Sequence, residues 1–351
     1  MAGEQPKPGQ KVIKLNTNEN PYPPSPKVKE ALGKFDLSTL RLYPDTNSTD
    51  VIKAAAKFDG VSEANIFCGN GSDEVLAICF QTFFEKKALT GLPVLMPDYS
   101  YSFYPVFSEF YDIRRQTIPL KEDFRLDPDD YIGVPNCGIV FANPNAPTSR
   151  AIAVEDCARI AKANPDSVVI VDEAYVAFEN EYESAVSLIN EYKNICVVRT
   201  LSKAFSLAGI RLGYAVGSEE LIEGLKRARD SFNSYPTDRL AQKIAAASVL
   251  DVKYHEECIK KIIRTRTNTA EELKSMGFDV PDSSANFIFA RPPRGIDAET
   301  LYLNLRAKGI LVRYFKTPGI NDRLRITIGT DDEMEKFIAN VREEISNAKD
   351  S

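Results

Sequence analysis

A regular alternation of apolar runs and amphipathic stretches between residues 66 and 229 limits what this chain can fold into. The runs at 138–142, 167–172 and 195–198 are continuously apolar, which is typical of strands buried on both faces. Amphipathic patterns that fit helices lie between them, as at Val154–Ala163. This alternation predicts an α/β fold in which a mostly parallel sheet lies between layers of helices.

Polar side chains follow each of these three runs at the point where the strand ends. Asn145 follows the first run, and Asp172 ends the second, with Tyr175 close behind it. Lys203 follows the third run. The carboxyl ends of neighbouring parallel strands lie at one edge of a sheet, where open α/β sheets bind their ligands. If the three strands are near neighbours, these side chains share one site.

Lys203 brings the most distinctive chemistry to this edge. A lysine amine can form an imine with a carbonyl compound. Thr200, Ser202 and Arg211 lie beside it and carry the donors that hold a phosphate. A reactive lysine next to a phosphate grip is what pyridoxal phosphate requires. Residues 199–211 therefore predict a pyridoxal-phosphate site, in which Lys203 can also transfer protons as a general acid and base.

The other strand ends fit the ring of the same cofactor. Asp172 ends an apolar strand, where an isolated carboxylate is costly, and a protonated pyridine nitrogen would be a suitable partner. Taken alone, Asp172 fits a turn or helix-capping role better, and only the three strand ends together favour the cofactor role. Tyr175, or an asparagine such as Asn145, can hydrogen-bond the phenolic oxygen of the ring.

The segment Gly-Asn-Gly-Ser-Asp-Glu at 69–74 fits a phosphate cup. Gly71 allows close approach of the backbone, and the N–H groups of a helix that begins near Ser72 point at an anion. The pattern alone is weak, because it lacks the third glycine of dinucleotide-binding motifs and the lysine of a P-loop. Tyr99 could stack on the cofactor ring, although plain packing is the commoner use of such an aromatic.

Composition and charge exclude several other classes of function. The 351 residues suffice for about two domains, and the net charge of −6 argues against nucleic-acid binding. No apolar run approaches the roughly 18 residues of a membrane span. The first 14 residues lack the apolar core of a signal peptide. We therefore expect a cytoplasmic protein without membrane or nucleic-acid partners, whose six cysteines are buried free thiols.

The single histidine, His255, lies in a charged helical pattern that predicts a surface side chain. One histidine excludes a His-rich metal site, and we expect no metal. A serine or cysteine triad would have to use this residue, so the proton shuttle is expected to be a different group, with lysine the obvious candidate.

The C-terminal part predicts a smaller α+β unit with strands near 285–290, 310–313 and 324–328. The expected domains are an arm with part of the small domain, a large cofactor-binding domain and a small C-terminal domain: 1–37, 38–245 and 246–351. Residues 9–26 are too rich in proline and asparagine for a regular element and predict an ordered arm or loop.

Two arginines, Arg313 and Arg325, lie within apolar strand patterns of this smaller unit. Each alone is about as well explained by an exposed strand face. Together, at the ends of adjacent strands, they could instead grip an anionic substrate group in bidentate fashion.

Seven motifs, found in order over nearly the whole chain, together resemble the histidinol-phosphate aminotransferase family of fold type I aminotransferases. They are Leu-Asn-x-Asn-Glu-Asn-Pro at 15–21, Leu-Tyr-Pro-Asp at 42–45, the 69–74 segment, Asn-Pro-Asn-Ala-Pro-Thr at 143–148, Asp-Glu-Ala-Tyr at 172–175, Thr-Leu-Ser-Lys at 200–203 with Ala-Gly-x-Arg at 208–211, and Leu-Arg-Ile-Thr-Ile-Gly-Thr at 324–330.

The resemblance implies a large domain with a seven-stranded sheet, a small C-terminal domain and pyridoxal 5'-phosphate as cofactor. It implies that Lys203 carries the cofactor, that Asp172 pairs with the ring nitrogen and that Tyr175 contacts the phenolic oxygen. It further assigns Tyr99 to stacking on the ring. The residues that it assigns to the phosphate are Gly71, Ser72, Thr200, Ser202 and Arg211.

Family members are homodimers whose active sites lie between the subunits, so the resemblance also implies a partner chain. Tyr43 is then expected to reach the partner's cofactor phosphate. Arg325 is expected to bind the substrate phosphate or the glutamate carboxylate, and Arg313 to assist it.

The sequence departs from the family pattern at two places. The asparagine that usually precedes Pro-Thr, and that normally contacts the phenolic oxygen, is Ala146 here. Either Asn145 takes that role or Tyr175 acts alone. The N-terminal arm is also short, and no aromatic side chain in it is clearly placed to close over the substrate.

The resemblance implies reversible amino transfer between L-glutamate and imidazole-acetol phosphate, giving 2-oxoglutarate and L-histidinol phosphate, in histidine biosynthesis. Two alternatives on the same fold are an aromatic amino-acid aminotransferase and a phosphothreonine decarboxylase. A further alternative is a non-catalytic regulator that binds pyridoxal phosphate. The absence of an appended DNA-binding segment or basic patch argues against this last reading.

Overall fold

A computed structural model describes residues 4–7, 9–179 and 183–349. The strands of the described part are β1 Ile13–Lys14, β2 Ile66–Gly69, β3 Val94–Pro97, β4 Arg115–Ile118, β5 Gly138–Ala142, β6 Val169–Asp172, β7 Ile195–Thr200, β8 Gly213–Gly217, β9 Phe287–Ala290, β10 Ile310–Leu311, β11 Arg313–Tyr314 and β12 Leu324–Thr327. Its α-helices are α1 Pro26–Gly33, α2 Thr49–Asp59, α3 Ser72–Phe83, α4 Phe103–Phe110, α5 Val154–Ala163, α6 Glu219–Asp230, α7 Arg239–Val249, α8 Val252–Ser275, α9 Ala298–Ala307 and α10 Asp331–Lys349.

Seven strands form one sheet in the order β2-β8-β7-β6-β5-β3-β4. All neighbouring pairs from β7 to β4 are parallel, and β8 pairs antiparallel with both β7 and β2. The three strands predicted to end in polar residues, β5, β6 and β7, are direct neighbours. The predicted α/β class with a mostly parallel, seven-stranded sheet is confirmed.

The central strands are buried on both faces because helices cover both sides of this sheet. One apolar core lies under α3, α4 and α6 and includes Phe67, Phe80 and Val198. The other core contains Phe141 and Val197 and continues into the C-terminal unit. These continuous cores explain why the strands are apolar along their whole length rather than alternating.

The C-terminal unit holds an antiparallel sheet in the order β11-β12-β9, against which α8 and α9 pack. The strand predicted at 310–313 is divided at Val312. The β10 half pairs in parallel with β1, while the β11 half pairs with β12. This division places Arg313 directly opposite Arg325.

The expectation that residues 9–26 contain no regular element was wrong at β1. The backbone N–H of Ile13 donates to Gly309 O at 2.9 Å, and that of Leu15 donates to Leu311 O at 2.7 Å. A two-residue strand needs little strand propensity of its own, because the β10 backbone supplies its partners. The arm is thereby fixed to the C-terminal unit.

The amphipathic pattern at 239–276 forms two helices, α7 and α8. Asp238 caps α7 by accepting from the N–H of Ala241 at 2.8 Å. α7 packs against α1 and α2, whereas α8 packs against α10. The predicted domain boundary at 245/246 lies within α7, and it stays a prediction.

The surface position predicted for His255 was wrong. The side chain is 4% exposed, its ring lies edge-on to Phe205 with centroids 4.7 Å apart, and its Nε2 lies 2.8 Å from Ser248 O. Burial lowers the pKa of His255. The charged residues around it in sequence occupy the opposite face of α8, which is why the pattern concealed a buried position.

Within the described ranges, no helix combines the length and the apolar character needed to cross a membrane. The same residues contain no cluster of three or more His, Cys, Asp or Glu side chains that could bind a metal ion.

Candidate active site

The carboxyl ends of β5, β6 and β7 lie side by side, as predicted. Ala142 pairs with Asp172, and Asp172 pairs with Val198. The N–H of Asn143 donates to Asp172 O at 2.9 Å. The edge therefore presents Asp172 at its centre, with the turn that carries Lys203 on one side.

Asp172 is a buried carboxylate without a cationic partner among the described residues. Its Oδ2 accepts from Tyr104 Oη at 2.8 Å, and its Oδ1 accepts from the N–H of Ala174 at 3.2 Å. Burial raises the pKa of Asp172 to about 6, although these two hydrogen bonds oppose the rise. The site therefore favours a cation that would lie against this carboxylate.

Lys203 lies just past the end of β7, and its amine points into the cleft between the sheet edge and the arm. Its Nζ donates to Thr17 O at 3.1 Å and lies 5.8 Å from the centre of the Tyr175 ring. Asn20 Nδ2 donates to Lys203 O at 3.0 Å, which ties the turn to the arm. The amine donates to a backbone carbonyl at an ordinary hydrogen-bond distance, a contact that a ligand can replace.

The start of α3 forms an anion cradle. Gly71 precedes the helix with φ at +88°, and no side chain caps the free N–H groups that begin at Ser72. A Cβ on Gly71 would lie 2.8 Å from Arg211 Nη2, so the guanidinium packs directly on the backbone. Arg211 is about half exposed and lies 3.3 Å from Asp73. Backbone donors and this guanidinium suit a phosphate.

Thr200 and Ser202 are both buried at the end of β7 and in the following turn. The N–H of Ser202 donates to Thr200 Oγ1 at 3.1 Å. Gly213 on β8 pairs with Thr200, and a Cβ there would lie 2.4 Å from the backbone N of Ser72. This close approach joins the β7 turn to the α3 cradle, so the residues predicted for the phosphate lie together.

The Tyr99 side chain contacts the C-terminal unit, and its predicted stacking on the ring stays a prediction. Its Oη donates to Pro318 O at 2.8 Å. Tyr101, which the sequence did not single out, donates from Oη to Asp73 at 2.6 Å. The Tyr101 ring lies edge-on to Tyr104, the residue that holds Asp172. Tyr101 therefore lies between the cradle and the buried carboxylate.

Both ends of the Asn145 amide are hydrogen-bonded to neighbouring residues. Its Nδ2 donates to Tyr99 O at 2.8 Å and to Thr148 Oγ1 at 2.9 Å, and its Oδ1 accepts from Ser100 Oγ at 2.8 Å. Asn145 thus braces the turn that carries Tyr99.

Arg325 and Arg313 lie opposite each other on β12 and β11. Arg325 Nη2 donates to Asn16 O at 2.9 Å, while its buried Nε has no hydrogen-bond partner. Its guanidinium lies 5.4 Å from the Phe287 ring centre, and no carboxylate of the described chain forms an ion pair with it. Desolvation lowers the pKa of Arg325 to about 10, with Arg313 adding to the effect. Arg325 therefore lacks a carboxylate partner among the described residues, and an anionic ligand would supply one.

Residues 16–20, which we call the arm segment, contact Arg325, Lys203 and Tyr175 of the site. Asn16 and Thr17 present their carbonyl oxygens to Arg325 and Lys203. Asn18 Nδ2 donates to Tyr175 Oη at 3.0 Å. The sequence marked this segment only as part of a motif, since contacts more than 150 residues away leave no local signal. Tyr104 and Tyr101 were missed because their partners, Asp172 and Asp73, lie 68 and 28 residues away in sequence.

Tyr43 lies on an exposed stretch of the chain. Its side chain is 73% exposed, and its ring stacks on Tyr235 with centroids 4.3 Å apart. Arg239 donates to Tyr43 O at 2.6 Å, which fixes the loop.

The protein is thus an α/β enzyme. One edge of its sheet carries a lysine amine, a buried carboxylate and an anion cradle. The family described as aminotransferase class I and II matches residues 10–341, and the chain belongs to this family. This finding agrees with the lysine-centred arrangement of the site.

Curated relatives match over almost the whole chain. The histidinol-phosphate aminotransferase of Clostridium acetobutylicum is 50% identical over 343 residues, which cover 98% of this chain and 95% of the relative. Histidinol-phosphate aminotransferase 2 of Dechloromonas aromatica is 50% identical over 337 residues, covering 95% and 92% of the two chains. The predicted family resemblance is confirmed.

Solved structures share the fold. The histidinol-phosphate aminotransferase of Sinorhizobium meliloti, in complex with pyridoxal-5'-phosphate, matches with a TM-score of 0.86 and 25% identity over 97% of this chain and 92% of that one. The L-threonine-O-3-phosphate decarboxylase of Porphyromonas gingivalis matches with a TM-score of 0.80 and 21% identity, over 95% of this chain and all of that one. At that identity the second match shows the fold alone.

Proposed function

We propose that this chain is a pyridoxal-phosphate-dependent histidinol-phosphate aminotransferase. It would transfer the amino group between L-histidinol phosphate and 2-oxoglutarate in histidine biosynthesis. The observation that carries the proposal is the lysine amine near a buried carboxylate that has no cationic partner among the described residues, together with the buried guanidinium of Arg325. The curated relatives with 50% identity bear the same activity in their names.

The residues of the cleft fit pyridoxal phosphate. Asp172, buried without a cation, would receive the protonated ring nitrogen, and the cradle of Gly71, Ser72 and Arg211 would receive the phosphate. Thr200 and Ser202 complete the phosphate site. When bound, the cofactor supplies an electron sink that stabilises negative charge at the substrate's α-carbon.

Lys203 performs two tasks in this proposal. Its amine would hold the cofactor, and the same amine would move a proton to and from the substrate. Thr17 O accepts from Nζ at 3.1 Å and orients the amine towards the cleft. Tyr175 contacts the phenolic oxygen. Asn145, whose amide is already engaged, holds the turn instead, so Tyr175 acts without an asparagine at this position.

The aromatic side chain proposed to cover the ring is Tyr101 rather than Tyr99. Tyr101 lies between Asp73 of the cradle and Tyr104, which bonds Asp172. Tyr99, which follows β3 of the large sheet, instead donates a hydrogen bond to Pro318 O of the C-terminal unit.

Arg325 is proposed to bind the anionic group shared by both substrates, which is a phosphate in one and a carboxylate in the other. Its guanidinium can offer a planar fork to either anion. Arg313, directly opposite, adds positive charge. Burial of Arg325 against Phe287 makes an unpaired cation costly, and an arriving anion relieves that cost.

The chain is proposed to act as a cytoplasmic homodimer. Apolar side chains are exposed along residues 37–43, including Leu37 at 71% and Tyr43 at 73%. A contiguous apolar surface of this kind favours a protein interface. Tyr43 would then reach the cofactor phosphate of the partner subunit.

A transamination assay with L-histidinol phosphate and 2-oxoglutarate tests the proposal. Wild-type protein should form glutamate, and Lys203→Ala should neither turn over nor become covalently labelled when the cofactor is added with borohydride. Phenylalanine and phosphothreonine serve as competing substrates. Negligible turnover of histidinol phosphate, with brisk turnover of phenylalanine or carbon dioxide release from phosphothreonine, would replace the proposed substrate by one of these.

A further inference from the structure

Asn18 is one of the most firmly held residues of the arm segment. It is 1% exposed and has a left-handed backbone with φ at +56°. Its N–H donates to Thr327 Oγ1 at 3.0 Å, and its carbonyl oxygen accepts from Asn286 Nδ2 at 3.1 Å. Both partners belong to the small sheet or its immediate flank. A strained backbone that is held on both sides is a feature found at functional sites.

The orientation of the Asn18 amide follows from the hydrogens available. Thr327 Oγ1 already accepts the backbone N–H of Asn18, so its own hydrogen is free to donate. It donates to Asn18 Oδ1 at 3.0 Å. In this arrangement the NH₂ end of the amide faces Tyr175 Oη, 3.0 Å away. Thr327 thus sets which end of the amide meets the tyrosine.

This orientation of the Asn18 amide determines how the Tyr175 hydroxyl forms its hydrogen bonds. Because the Asn18 amide is a donor, Tyr175 Oη accepts there, and its own hydrogen stays available for another acceptor. Its ring is fixed edge-on against Phe287, with centroids 5.1 Å apart. A hydroxyl that accepts one hydrogen bond becomes a stronger donor in the next.

We propose that Asn18 is a positioning residue that directs and strengthens the donation from Tyr175 to the phenolic oxygen of the cofactor. The proposal rests on the proposed function, which assigns pyridoxal phosphate to this cleft. In this role Asn18 would partly replace the asparagine that family members usually have at the position of Ala146. Ala146 is buried and offers no side-chain donor.

The first test is Asn18→Ala in the cofactor-loaded, substrate-free protein. The pH midpoint of the bound cofactor's absorbance change should move to higher pH by about 0.5 unit, because a weaker donor stabilises the deprotonated form less. The dissociation constant of pyridoxal phosphate from the cofactor-free protein should rise about threefold. A midpoint and an affinity equal to those of wild type would overturn the proposal.

The second test asks whether Asn18 acts through Tyr175. Tyr175→Phe removes the hydroxyl, so adding Asn18→Ala to that variant should change neither the midpoint nor the affinity further. If Asn18→Ala has its full effect in the Tyr175→Phe background, Asn18 acts by another route and the proposal fails.

Asn286→Ala is the matched control. Asn286 is also a buried asparagine, and it contacts the Asn18 carbonyl rather than Tyr175. Its loss should lower the thermal midpoint of unfolding while leaving the pH midpoint unchanged. If Asn286→Ala moves the pH midpoint as far as Asn18→Ala, arm placement is the cause and the polarising role is refuted. Thr327→Val, which frees the amide to rotate, should give a smaller shift in the direction of Asn18→Ala.

The outcome for wild-type protein separates this inference from the proposed function. Wild-type protein that fails to bind pyridoxal phosphate through Lys203 would refute the function itself. Wild-type protein that binds it, with an Asn18→Ala variant indistinguishable from wild type, would refute only the role of Asn18.

Discussion

The buried carboxylate of Asp172 shows how a single residue can favour the binding of a cationic ligand group. Its carboxylate has two hydrogen bonds but no cationic partner among the residues described. The protein alone therefore holds a charge that burial disfavours. A bound cation would relieve this cost, and the relief would contribute to the binding free energy of the ligand.

The stability of the cofactor-free protein should depend on the ionisation of Asp172. Its pKa is about 6 in the folded state, against an ordinary value of 3.8 in an unfolded chain. A carboxyl whose pKa is raised by folding stabilises the folded state below pH 3.8, and this advantage is lost as pH rises through about 6. The free energy of unfolding should lose about 2–3 kcal/mol over that window on account of Asp172.

Urea unfolding of cofactor-free wild type and Asp172→Asn at several pH values between 4 and 8 measures this contribution. Glu173 and Asp59 also have pKa values raised by burial, so only the difference between the two proteins isolates Asp172. Parallel pH profiles for the two proteins would contradict the expectation.

Arg325 should determine the affinity for both anionic substrates. Arg325→Ala should weaken the binding of each by about 2–5 kcal/mol, the range for truncating one partner of a desolvated charge pair. Arg325→Lys is the control, because it keeps the charge and loses the planar fork, and should recover part of the loss. Steady-state KM values and single-turnover rates measure the effect. Unchanged KM values in Arg325→Ala would place the anion elsewhere.

The place of a residue in the site could be predicted only where the neighbouring sequence has a recognisable pattern, such as an apolar run. Lys203, Asp172 and Tyr175 follow strands that are evident from their apolar runs, so their shared edge could be predicted. Asn18 and Tyr104 act through partners 157 and 68 residues away. No periodicity or local motif reports such a contact, and only the folded chain reveals it.

At the level of elements, the start of α3 depends on the absence of a side chain at Gly71. Its φ of +88° and the 2.8 Å approach of Arg211 leave no room for a Cβ. The cradle is thus built by close contact between a glycine backbone and a guanidinium.

Gly71→Ala should push Arg211 away from the cradle and weaken cofactor binding by at least about tenfold, since a hydrogen bond to a charged group is worth about 1.5–3 kcal/mol. Fluorescence titration of cofactor-free protein with pyridoxal phosphate gives the affinity. Gly224→Ala on α6 is the control, because a Cβ there meets Thr82 at an ordinary 3.5 Å. Equal affinities for the two variants would show that the cradle tolerates a side chain.

Elements with a complete local pattern were predicted well, such as α5 at Val154–Ala163 and β5 at Gly138–Ala142. The 310–313 run was predicted as one strand because its apolar pattern is continuous. Its division at Val312 depends on two different partner strands, which the pattern does not contain. His255 was misplaced for a related reason, since the partner that buries it is Phe205 on a distant loop.

At the level of the whole molecule, the exposed apolar segment at 37–43 is expected to be covered by a second copy. Leu37→Asp combined with Leu40→Asp should shift the protein towards monomer and reduce turnover, because each site would need Tyr43 of the partner subunit. Sedimentation velocity measures the mass. Leu89→Asp is the control, since Leu89 is 75% exposed, close to the 71% of Leu37. Monomeric wild-type protein with full activity would contradict the expectation.

The arm segment has a consequence for how the chain is made. Asn18 and Thr327 are 309 residues apart, and β1 requires β10 as its partner. During synthesis the arm therefore emerges long before β10 and β12, and it cannot bind until both have been made. A product truncated before β12 would retain Lys203 and Asp172 but would lack the anchor for Asn18 and the arginine that grips the substrate. The complete site can therefore form only on chains that have been synthesised through Thr327.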